Sequence, residues 1–87
     1  MTSGMAAYER IDEPIDVVGS YTHGHFTPRK FRWGQRVLYI DQITLQSDIK
    51  DGGVRKRLFS VAVGVEVYRL DFNRDSEQWW LREVWVE

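Results

Sequence analysis

A chain of 87 residues with a formal net charge of -1 and no cysteine has room for one small domain, without a disulfide framework or a thiolate zinc site. No apolar run approaches the roughly 18 residues that a membrane-crossing helix needs, and the near-neutral balance gives no global attraction to nucleic acid or anionic membrane. A domain this small buries only about 60–65% of its unfolded surface, so the four Trp, four Tyr and four Phe must supply much of the core.

In chain order, residues 1–13 read as a flexible polar N-terminal lead-in and residues 14–87 as a single β domain. Pro14 opens the first strand, Ile15 to Tyr21, in which Ile15 and Val17 share a face. A proline there predicts an edge strand, because it has no N–H to give a ladder. Thr22 to Pro28 reads as a connector. Arg29 to Trp33 alternates charge with aromatic residues, and Gly34-Gln35 suits a type II′ hairpin turn, whose first central residue needs positive φ. From Arg36 the strand places Leu38 and Ile40 on one parity but Ile43 and Leu45 on the other, which predicts a bulge near Asp41-Gln42.

Ser47 to Gly53 reads as a turn-rich loop and Arg57 to Val63 as a strand, with Gly64 either a very tight turn or an in-strand kink. The last third is a β-hairpin: residues 65–72, a polar turn over 73–78, then residues 79–87, with the period of two that half-buried strands require. Trp79 and Leu81 share one parity and Val84 and Val86 the other, so a second bulge is predicted. Two phase resets let a small sheet coil strongly. The fold class is therefore all-β: one small domain of about five antiparallel strands in meander order, forming a small barrel or strongly twisted sheet.

Catalytic and metal chemistry find little support. His23 and His25 alternate on an extended segment and so face one way, but two imidazoles fall short of the three or four ligands a zinc centre usually has. No Ser stands in a nucleophile elbow, and Gly52-Gly53 leads into Val54-Arg55-Lys56-Arg57, not into a phosphate-binding helix. The sequence predicts no enzyme, no cofactor and no metal site, in a soluble cytoplasmic protein with no membrane contact.

Positive charge, by contrast, is segregated. No acidic residue lies between Asp16 and Asp41, a stretch that holds Arg29, Lys30, Arg32 and Arg36, and a second group, Arg55-Lys56-Arg57, precedes Phe59. If the two strands are neighbours, their cations form one stripe with Phe26, Phe31, Trp33 or Tyr39 interleaved. Single-stranded nucleic acid is bound by such a stripe, with cations tracking phosphates and aromatic faces stacking bases. Trp79 and Trp80 point instead to a protein partner. Consecutive strand residues project to opposite faces, so only one of the pair can enter the core. The other, together with Trp85, is a candidate interface residue, on a last strand predicted to lie at a sheet edge where a second chain can pair.

Six strand patterns follow one another: Pro14-Ile15-x-Val17, Phe31-Arg32-Trp33 with Gly34 next, Leu38-x-Ile40-x-x-Ile43, Phe59-x-Val61, Tyr68-x-Leu70-x-Phe72 and Trp79-x-Leu81-x-x-Val84. Together they resemble a family of short bacterial all-β proteins of unknown function, some encoded near error-prone DNA polymerase genes. The chain departs from that pattern where Gly34 follows Trp33 directly and where no Trp stands in the loop after Leu45. The resemblance implies a setting in DNA replication or repair. The function predicted is a non-enzymatic binding module: a small adaptor or accessory protein that engages a protein partner or associates as a homodimer. Single-stranded nucleic-acid binding through Arg29 to Arg36 is the alternative.

Overall fold

Tight turns set the register of this chain. The computed structural model describes residues 7–86, which form seven strands: β1 (Ala7–Thr22), β2 (His25–Trp33), β3 (Arg36–Tyr39), β4 (Gln42–Asp51), β5 (Val54–Val63), β6 (Glu66–Asn73) and β7 (Gln78–Val86). Two-residue turns join β1 to β2, β2 to β3, β4 to β5 and β5 to β6. Gly34 has φ of +62° and Gln35 is not in the positive region, the φ pattern of the type II′ turn predicted for this pair. Gly64-Val65 likewise closes a hairpin, so Gly64 is a turn residue and not an in-strand kink.

All pairs are antiparallel, in the order β3-β2-β1-β7-β6-β5-β4. The all-β class and single domain agree with the sequence, but seven strands replace about five, and the sheet is open where a closed barrel was one expectation. β3 and β4 are its two edges. Between them, Ile40 N donates to Arg29 O (2.9 Å) and Asp41 N to Ala62 O (2.8 Å). Successive peptides thus serve opposite ends of the sheet, and no ladder links β3 to β4. The parity change read as a bulge near Asp41-Gln42 is this strand boundary, since either device shifts the phase. A true register shift follows in β4, between Ile43 and Leu45.

β1 is central, lying between β2 and β7. Residues 7–15 pair with β7 and residues 16–22 with β2, so Pro14 sits where the strand has a partner on one side only, which satisfies the donor rule away from an edge. Residues 7–13, read as lead-in, are therefore strand, held by β7. The first six residues of that lead-in, and residue 87, lie outside the described residues. β7 is also central, not an edge. No helix among the described residues is long and apolar enough to cross a membrane.

The second bulge falls where the parity of the last strand predicts it. Leu70 pairs with Leu81 and Arg69 with Glu83, leaving Arg82 as the extra residue. Its guanidinium donates to Asp71 Oδ2 (3.0 Å) and Asp12 Oδ1 (3.1 Å) and lies 5.0 Å from the Trp80 ring centroid. Lys56 approaches the same Asp71 carboxylate at 3.6 Å. Asp71 is only 5% exposed, and a carboxylate so placed is tolerable because cations surround it.

Every strand but β4 contributes to the buried core: Ile15, Phe31, Leu38, Phe59, Val61, Tyr68, Leu70, Leu81 and Val84. Phe31 on β2 meets Tyr68 on β6 with ring centroids 5.4 Å apart, so the half of the sheet built from β2, β3 and the end of β1 folds back over β5–β7. Tyr68 donates its hydroxyl to Glu66 Oε1 at 2.5 Å. Burial, then this bond, pushes its pKa up to about 12.

Candidate functional site

Two cross-strand aromatic pairs face each other where the folded halves meet. Tyr21 on β1 pairs with Phe26 on β2, and their ring centroids are 5.3 Å apart; Phe72 on β6 pairs with Trp79 on β7 at 4.7 Å. Phe26 reaches Trp79 across the fold at 5.8 Å, and Phe59 on β5 supports Trp79 at 5.4 Å. Contacts of this geometry contribute about 0.5–1.5 kcal/mol each beyond area burial. With Val17, Arg57 and Glu77, these five aromatics line a cleft of about 290 Å³.

Local sequence explains each wall. Gly19 lets β1 and β2 approach closely beside Phe26, since a Cβ there would overlap the Thr27 carbonyl oxygen. On the other side, Asn73 Oδ1 accepts from the N–H groups of Asp75 (2.9 Å) and Ser76 (3.0 Å), the side-chain turn that Asn favours. Glu77 N then donates to Asn73 O (2.7 Å), holding Glu77 at φ +60° on the rim. Arg57, the rim cation, is held bidentately by Asp48 at 2.6 and 3.1 Å. That hydrogen bond holds the Asp48 carboxyl below the ordinary carboxylate value and the Arg57 guanidinium above its own. The cleft thus has an apolar floor, a neutralised cation and one carboxylate. It is equipped to seat an apolar group. Its volume suits a side chain, being at the low end for a small-molecule pocket.

The predicted interface tryptophans separate. Trp79 packs against the core and forms the cleft wall, Trp80 lies on the opposite face beneath Arg82, and Trp85 is 39% exposed beside Tyr8, at 4.7 Å between centroids. Glu83 binds that last pair, accepting from Tyr8 (3.0 Å) and from Trp85 Nε1 (3.2 Å).

β2 and β5 are not ladder neighbours, so the adjacency on which a single stripe was expected is not met. Four of the seven cations have carboxylate partners: Arg32 with Asp16 (2.8 Å), Arg55 with Asp75 (2.9 Å), Lys56 with Asp51 (3.3 Å) and Arg57 with Asp48. Among the described residues no carboxylate lies within 4.0 Å of Arg29, Lys30 or Arg36; Lys30 lies over Tyr39 (5.4 Å) and Arg36 over Trp33 (5.5 Å). Of the aromatics read as base-stacking platforms, Phe31 is buried at 1% exposure and Trp33 turns inward to Tyr68 and donates to Glu13 (2.9 Å), leaving Tyr39 exposed.

His23 and Gly24 form the β1–β2 turn, both at positive φ, so His23 and His25 do not alternate on one extended face. His25 Nε2 instead hydrogen-bonds Gln46 Nε2 at 3.1 Å. Among the described residues no group of three or more His, Asp or Glu side chains is placed to hold a metal ion.

Sequence reasoning missed the cleft as a site. Tyr21, Phe59 and Phe72 read as ordinary strand aromatics; the available signal was that Tyr21 and Phe26 symmetrically flank a two-residue turn. No family model, curated protein or solved structure matches the chain.

Proposed function

We propose that this protein is a non-enzymatic binding module that engages a protein partner by seating one apolar or aromatic side chain of that partner in the cleft beside Trp79. The observation that carries this reading is the cleft itself: five aromatic side chains converge on a space the size of an anchor residue, and Tyr21 on its rim is 75% exposed. Anchors buried in such pockets dominate the energetics of many interfaces, and aromatic residues are enriched among them. A place in DNA replication or repair is part of the proposal and rests on the sequence resemblance alone. The nucleic-acid alternative has less support, because four of its seven cations are already paired and one of its stacking platforms is exposed.

Blocked amino-acid amides test the reading without knowledge of the partner. In a titration followed by NMR, the Trp and Leu amides should shift the Phe26, Phe72 and Trp79 signals saturably, the Lys amide should not, and Tyr21→Ala should weaken the response. Absence of saturable shifts at millimolar amide, or shifts centred on Trp85, would overturn it.

A further inference from the structure

The four cations of β2 and β3 stand beside the less protected of the two sheet edges. Natural edges are blunted by bulges and charge. β4 has both, a register shift at Ile43/Leu45 and the charged run Asp48, Lys50 and Asp51. β3 (Arg-Val-Leu-Tyr) has neither proline nor bulge, and its protection is its brevity. The two-residue turn makes Trp33↔Arg36 a hydrogen-bonded pair, and the Ile40–Arg29 bond continues the alternation, so Arg36, Leu38 and Ile40 face β2. The backbone N–H and C=O groups of Val37 and Tyr39 therefore point away from β2, along the free edge. Their side chains lie on the outer sheet face with Val18, at 49%, 64% and 56% exposure.

We infer that β3 accepts an extended segment of a partner protein as an eighth strand, and that this segment alternates apolar with acidic residues. Its backbone bonds Val37 and Tyr39. Apolar side chains cover Val37 and Tyr39, while acidic ones meet Arg36 on the other face, with Arg29 one strand further in. Charge selects this occupant. Residues 17–40 contain four cations and no carboxylate, and among the described residues only Arg32 of the four has an acidic partner. A second copy docked strand to strand would bring the same unrelieved cations together, which opposes self-pairing. Nucleic acid would use the cations but leave the four free backbone groups unbonded. The inference is independent of the cleft, whose lining includes no β3 residue.

Fluorescein-labelled peptides alternating Val with Glu, matched peptides alternating Val with Lys, and an oligothymidylate are the probes, with anisotropy and hydrogen exchange as readouts. The Val/Glu peptide should bind, weaken as salt rises, and slow exchange of the Val37 and Tyr39 amides specifically; the Val/Lys peptide should not bind. The double variant Arg29→Glu/Arg36→Glu should reverse the preference, a result that loss of folding cannot mimic. Val37→Pro, which deletes only an outward donor, should weaken the Val/Glu peptide by about tenfold, as removing a backbone hydrogen bond of ~1.4 kcal/mol would. No binding at millimolar peptide, binding without protection of those two amides, tighter binding of oligothymidylate that ignores Val37→Pro, or a dimer in light scattering that Val37→Pro abolishes would each overturn the inference.

Discussion

Replacing Gly19 with alanine should be the most damaging single-methyl change in the protein. A Cβ at this position overlaps the Thr27 carbonyl oxygen and stands 2.6 Å from Phe26 Cζ and 2.9 Å from Pro28 Cα. The Phe26 ring can swing away, but Thr27 O and Pro28 Cα belong to the strand paired with residue 19 and move only if β1 and β2 separate at Gly19↔Pro28 and Ser20↔Thr27. Two weakened ladder bonds cost about 0.5–1.5 kcal/mol each and the overpacking strain about 1–3 kcal/mol, so the loss should be about 3 kcal/mol. For a domain of this size that corresponds to a fall in melting temperature of roughly 12–24 °C. Urea and thermal unfolding followed by circular dichroism read it directly. Gly34→Ala is the control: nothing stands within 4 Å of its Cβ position, and its cost is the conformational strain of φ +62°, about 1–2 kcal/mol. Gly34→Asn should cost less still, because Asn tolerates that region. A Gly19→Ala melt within about 0.5 kcal/mol of the parent, or one milder than Gly34→Ala, would mean that β1 and β2 do not approach as closely as described.

Acid should destabilise the fold through specific carboxylates. Hydrogen bonds from Arg10, Arg57 and Arg55 hold Asp12, Asp48 and Asp75 below the ordinary value of 3.8, so their stabilisation is present above that pH and is lost as pH falls through the lowered folded values. Asp48→Asn should flatten the decline in urea midpoint below about pH 4. The sign reverses for Tyr68: a phenol raised to about 12 from 10.0 adds stability that is complete below pH 10 and is lost as pH rises towards 12, and Tyr68→Phe should remove the last step of a phenolate absorbance titration. Asp71→Asn should lower stability by about 1.5–3 kcal/mol, because Arg82 and Lys56 lose a buried counter-charge; an unchanged urea midpoint would show that solvent already screens the cluster. Trp79→Ala should cost several times more than Trp85→Ala, since the former packs against the core and the latter stays 39% exposed, and equal costs in urea titrations would contradict that placement.

Local chemistry made much of this fold legible. The period of two located β6 and β7, the parity switch between Leu81 and Val84 located the Arg82 bulge, and Gly34-Gln35 announced its own turn. What escaped were features whose cause lies elsewhere in the chain. Residues 7–13 lack apolar alternation because most are exposed, and only pairing with β7 makes them a strand. Ser47 to Asp51 looked like loop for the same reason, since an edge strand over Arg57 and Lys56 can be polar on both faces. The boundary at Ile40–Asp41 imitated a bulge because parity alone does not distinguish them. Strand neighbourhood is likewise non-local: the two basic clusters seemed ready to merge, yet β1, β7 and β6 lie between β2 and β5. The cleft was illegible because its two aromatic pairs come from opposite ends of the sequence.

The pairing of Ala7 with Val86 and the bare two-residue passage at Ile40–Asp41 imply that connectivity and architecture are separable in this molecule. Joining residue 86 to residue 7 through a short linker and opening the chain between residues 40 and 41 would give a circular permutant in which strand order along the chain equals strand order across the sheet. Every ladder would then be a local hairpin, lowering the contact order. Such a permutant should fold faster than its parent while keeping the same core, so that the slow, long-range closure of β1 on β7 becomes an experimentally removable step.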